Sequence, residues 1–155
     1  MLIPSTPRTL ATLVLGGALA AALGAAHATA FNPPINMAHG IEYMSGGVDT
    51  DEAQLMETVL PRWPASFVFS VQGQAPSTLA SEVEVTVRSA SGEVLLDHVR
   101  AGGPFMVARL APGTYQVEAV VGGKALTQEV TVRAGEDTRT EFKWPEGTAV
   151  RQARS

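Results

Sequence analysis

The 155 residues contain no cysteine. That excludes the disulfide framework on which small exported chains often rely, and every zinc pattern built on Cys pairs. There is no His-Glu-x-x-His for a zinc hydrolase and no Gly-Lys-Ser/Thr for a phosphate loop. Tyr43-Met44-Ser45-Gly46-Gly47 lacks the first glycine of a Gly-x-Ser-x-Gly elbow, which leaves Ser45 as a turn residue. Basic residues are few, 11 Lys and Arg against 15 Asp and Glu. Nucleic acid and anionic membrane surfaces, which need clustered cations to displace counterions, are poor partners for such a chain.

What is present begins with a targeting pattern. Arg8 precedes an uncharged apolar run over residues 10–26, and Ala28-Thr29-Ala30 places small residues where a signal peptidase reads them. Residues 1–30 are therefore expected to be a cleaved signal peptide, with Phe31 opening the mature chain in the periplasm or outside the cell. An uncleaved anchor is the competing reading. The run is short, rich in Ala and Gly, and followed by no stop-transfer charges, so no stable membrane anchor is expected after cleavage. The absence of a cysteine after the run excludes a lipoprotein. Without residues 1–30 the balance is 10 basic to 15 acidic residues. Stability must come from a packed core, which a domain of ~100 residues can supply.

Residues 31–65 read as an extended Pro-rich arm and one short helix. Pro33 and Pro34 cannot sit together inside a helix. Asp49 followed by Glu52 suggests a capping box, and Leu55, Met56, Val59 and Leu60 form an amphipathic stripe that Pro61 ends, so a helix is expected over about residues 50–60. Residues 66–144 alternate with period two between turn signals at Ser91-Gly92, Gly122-Gly123 and Ala134-Gly135. Seven strands are predicted, at 66–72, 82–89, 93–99, 104–110, 114–121, 124–133 and 137–144. The fold class that follows is all-β, a seven-stranded antiparallel sandwich with one short N-terminal α-helix. The expected inward set is Phe67, Phe69, Val83, Val85, Val87, Phe105, Val107, Leu110, Tyr115, Val117, Val130, Val132 and Phe142. Residues 145–155 lack apolar periodicity and read as a frayed tail.

The most telling segment joins two of these strands. Pro112 presets a turn φ, Gly113 can take a positive one, and Tyr115 and Val117 restart the alternation. Phe105, Val107, Leu110, Pro112, Gly113 and Tyr115 match the pattern Phe-x-Phe-x-x-Leu-x-Pro-Gly-x-Tyr, with Val107 in an aromatic place. In this the chain resembles the carboxypeptidase regulatory-like domain, a small transthyretin-like β-sandwich. Residues 40–48 and the helix after them look like the leader of small exported proteobacterial proteins that consist of this one domain and have no assigned activity. In larger proteins the domain is an accessory to a catalytic or transport domain. The resemblance thus implies a non-catalytic binding or assembly module with a protein, peptide or glycan partner in trans, and no cofactor.

Two other functions compete. Met37, His39 and Met44 place two thioethers and an imidazole close in sequence, a ligand set suited to Cu(I), and cleavage after Ala26 would leave an amino-terminal His27 able to chelate Cu(II). For Met37 and Met44 the plainer reading is apolar padding between arm and sandwich. The transthyretin-related hydroxyisourate hydrolases share the sandwich but end in Tyr-Arg-Gly-Ser and use active-site His and Arg residues. This chain ends Arg151-Gln152-Ala153-Arg154-Ser155, and neither His39 nor His98 lies in a matching motif, so no catalytic residue carries over. Asp49-x-Asp51 opens like a calcium loop but has Gln54 and Leu60 where Gly and Glu are required, so helix capping explains both carboxylates. Asp97 and His98, adjacent on a strand, are expected on opposite faces, and Trp63 and Trp144 are expected to plug the sandwich.

Overall fold

A computed structural model describes residues 32–79 and 82–148. The apolar run, His27, the cleavage site, Phe31 and the last seven positions of the expected tail lie outside the described residues. The chain is predominantly β. Among the described residues nine strands form two sheets: β1 (Asn36–Ala38), β2 (Ile41–Gly46), β6 (Phe105–Ala108), β3 (Ala65–Val71) and β9 (Thr138–Trp144) in one, in the order β1-β2-β6-β3-β9. The other runs β5 (Val94–Ala101), β4 (Val83–Ser89), β7 (Gly113–Val121) and β8 (Lys124–Val132). The sheets face each other across one apolar core, sandwich-like, and α1 (Thr50–Val59) is the one α-helix among the described residues.

The seven predicted strands are all present. The expectations of seven strands and of an extended arm are corrected by β1 and β2, which hydrogen-bond into the five-stranded sheet, β2 against β6. His39 and Gly40 both have positive φ, 49° and 76°, and form a two-residue turn closed by the pair Ala38↔Ile41. That is the primed geometry a hairpin favours, here without the Asn or Asp that usually signals it. The purely antiparallel sheet is also corrected. β9 crosses from the opposite sheet after β8 and runs parallel to β3, from Ala65↔Thr138 to Val71↔Trp144.

Between the sheets, Phe67, Phe69, Phe142 and Trp144 pack along the β3–β9 pair with centroid separations of 5.8 to 6.4 Å. Val83, Val85, Val87, Leu110, Tyr115, Val117, Val130 and Val132 complete the expected inward set. Phe105 and Val107, also expected inward, do not join this core. They lie on the outer face of the five-stranded sheet, where Val107 joins Met44, Met56, Leu60 and Trp63 in a second cluster beneath α1, with Phe105, Val59 and Val68 packed against it. Met106 and Ala108 take the inner positions. Because α1 covers the outside, β6 is buried on both faces and its sequence has no polar side to set the alternation.

The helix starts as predicted, with a different contact. Asp49 is the N-cap residue and makes no side-chain cap. Instead the Glu52 carboxylate accepts the backbone N–H of Gly47 at 2.6 Å, and Asp51 and Glu52 both favour the positive end of the helix. Pro61 ends α1 in a 3₁₀ turn, Leu60–Arg62.

The sheet edges are protected. β8 and β9, adjacent edges of the two sheets, are laced by side chains: Gln128 donates to the Glu141 carbonyl at 2.6 Å and Thr138 to that of Thr131 at 3.1 Å. The Trp144 indole N–H donates to the Lys124 carbonyl at 3.0 Å, and the ring is buried, a plug as expected. β5 carries a bulge, and β1 has only three residues. Each device blunts pairing with another chain.

Candidate functional site

Three connections converge at one end of the sandwich: residues 60–64 between α1 and β3, 109–112 between β6 and β7, and 133–137 between β8 and β9. They frame an open cleft of about 340 Å³, with Arg62, Trp63 and Arg109 on its lining together with Arg133, Glu136 and Asp137.

Local sequence accounts for the positions. Trp63 precedes Pro64 and takes the extended backbone, φ −110° and ψ 146°, that a residue before proline prefers. Its indole packs on Met56 and Leu60 and is 7% exposed. Arg109 follows β6, and its N–H donates to the Glu42 carbonyl at 2.9 Å. Its side-chain Nε reaches the Glu42 carboxylate at 2.8 Å, and the guanidinium lies 4.6 Å from the Trp63 ring centroid. Backbone, carboxylate and aromatic face thus fix one guanidinium at the cleft. Arg133 is 4.0 Å from Glu136 in the opposite turn.

The strand-joining motif builds this end. Pro112 lines the cleft, Leu110 enters the main core, and Gly113 begins β7 at the positive φ expected there, 158°. Tyr115 is buried, and its hydroxyl donates to the Ala111 carbonyl at 2.5 Å. Burial pushes its pKa above the ordinary value near 10.

The copper candidates sit apart in environment. In the β1–β2 register Met37 opposes Glu42, which places Met44 on the diagonal, but Met37 is 66% exposed and Met44 is packed under α1. His39 occupies the exposed hairpin turn. No group of three or more His, Asp or Glu side chains that could hold a metal occurs among the described residues. No helix of the described residues is long and apolar enough to cross a membrane.

The expectation that Asp97 and His98 face apart is corrected. β5 shifts register between Val85↔Val99 and Val87↔Leu96, and His98 takes φ 47°, so both residues bulge opposite Thr86. The His98 Nδ1 meets Asp97 Oδ1 at 2.5 Å, with both side chains 63% exposed. The expectation of Ser45 as a turn residue is corrected too: it lies in β2, where its Oγ accepts the Gly102 N–H at 2.8 Å. A second cavity, about 350 Å³, opens by Ser89, Thr114, Gln116, Thr127 and Glu129. It has one charged lining group, Glu129, and no cation, so the arginine cleft is the better candidate.

No family model matches the chain, and no curated protein matches it. The sequence reading missed the arginine cluster because Arg62, Arg109 and Arg133 lie on three different connections.

Proposed function

We propose that this chain is an exported, non-catalytic binding or assembly module of the carboxypeptidase regulatory-like, transthyretin-like kind, engaging a protein, peptide or glycan partner in the periplasm. One observation carries the reading: at the end of the sandwich where three connections frame an open cleft, Trp63 and Glu42 hold the Arg109 guanidinium in place. Loops on a rigid scaffold are where binding surfaces concentrate. The family part rests on the strand-joining motif, whose Tyr115 ties its own connection through Ala111 in the manner of the tyrosine corners of β-sandwiches. Fold likeness alone assigns no ligand. The blunted edges weigh against β-strand addition as the binding mode, which leaves the loop end as the docking surface.

Capture from periplasmic extract under mild crosslinking tests the reading. The expected outcome is one reproducible partner that is retained by the wild-type protein and lost from Arg62→Glu combined with Arg133→Glu. Repeated recovery of no partner, together with consumption of hydroxyisourate faster than buffer, would place the chain among enzymes instead.

A further inference from the structure

The charges around the end cleft are not equivalent. Arg133 stands 4.0 Å from Glu136 across the β8–β9 turn, both side chains exposed, and Arg109 shares its Nε with Glu42. Among the described residues no hydrogen bond or ion pair occupies the terminal Nη groups of Arg109, and Arg62, exposed on the same lining, has no ion pair. Two guanidiniums therefore remain with donors to offer. Arg109 is the oriented one, because the Trp63 face and the Glu42 carboxylate hold it at two sides.

We infer that this cleft recognises a single carboxylate on a peptide through Arg62 and Arg109, an inference that rests on the binding-module reading above. A guanidinium fork matches a carboxylate in shape and charge, and pre-orientation lowers the entropy lost on binding. The same lining limits the ligand. Glu136 and Asp137 stand on the opposite turn, Glu136 beside Arg133 and Asp137 with no ion pair among the described residues, so repulsion grows with each further negative charge on a ligand spanning the cleft and is least for one localised charge held at Arg62 and Arg109. A sugar ring would need an open aromatic face, and Trp63 offers none: it is 7% exposed, with Arg109 over its ring. An acidic peptide side chain or a peptide carboxy-terminus meets both conditions.

The test is an amide-resonance titration of the full mature chain with an acetylated, amidated alanine pentapeptide bearing one central glutamate. The glutamine version and trigalacturonate serve as comparison probes. The expected result is saturable shifts confined to residues 61–64, 109–113 and 133–137, absent with the glutamine peptide. Arg62→Ala, an exposed site whose loss leaves the core intact, should weaken binding about tenfold. Arg109→Lys should weaken it similarly while Arg62→Lys retains part of it, since a point charge replaces the fork. Shifts that the glutamine peptide reproduces, or that ignore both arginines, overturn the proposal. So does the absence of shifts up to about 10 mM peptide, a concentration at which even a very weak complex is populated. Tighter binding of trigalacturonate would make the ligand an acidic glycan. A captured partner that survives Arg62→Ala would leave the module reading standing and remove the carboxylate assignment alone.

Discussion

The hydroxyl of Tyr115 donates to the carbonyl of Ala111, four residues upstream, and so ties the β6–β7 connection to the strand that leaves it. Tyr115→Phe removes that bond and is expected to cost about 0.5–1.5 kcal/mol. Tyr115→Ala also empties a core position, at ~3–5 kcal/mol. Burial raises the folded-state pKa, so the folded chain holds this proton more firmly than the unfolded chain. The contribution is complete below about pH 10 and is lost as pH rises through the folded value. Urea unfolding at increasing alkaline pH should show the wild type losing more stability than Tyr115→Phe. Equal losses would show that the hydroxyl is not linked to folding.

Met56 is completely buried between α1 and the outer face of the five-stranded sheet. Met56→Ala is expected to destabilise by ~2–5 kcal/mol, and the volume-conserving Met56→Leu by less than about 1.5 kcal/mol. If α1 were an ornament on an independent sandwich, both variants would unfold at the wild-type urea midpoint.

The left-handed backbone at His98 tolerates glycine or asparagine and resists β-branching. His98→Val should cost ~1–3 kcal/mol, while His98→Gly stays within about 1 kcal/mol of wild type. A thermal midpoint unchanged by valine would mean that the bulge is not held in the native state.

For copper the expected outcome is no stoichiometric uptake of Cu(I) in competition with a chromophoric chelator, because drawing Met44 out of its cluster removes buried apolar surface. One equivalent bound, and lost in the double variant His39→Ala with Met44→Ala, would establish the site. Mass spectrometry of the chain recovered from its native cells tests the other route, with Phe31 expected at the amino terminus and His27 the result that would revive a chelate.

The strands from β3 to β9 could be read because most carry an apolar face and end on a recognisable turn. Where a strand has two apolar faces the alternation is ambiguous: β6 has no polar side to mark Phe105 and Val107 as outward, and only the position of α1 shows why they are. β2 escaped notice for a related reason, since Ile41 and Tyr43 pack toward the main core and Met44 toward the helix. The pairing of Asp97 with His98 was illegible because a bulge is a property of two strands in register. The cleft was illegible because its arginines come together only when three connections meet.

The most direct measurement places a photoreactive benzoylphenylalanine at position 62 in the end cleft or, as a comparison, at position 143 near the far end of β9 of the full chain, irradiated in intact cells. One reproducible adduct is expected from position 62, and none from position 143. Adducts that arise equally from both positions, or only from 143, would contradict the assignment of the loop end as the binding surface.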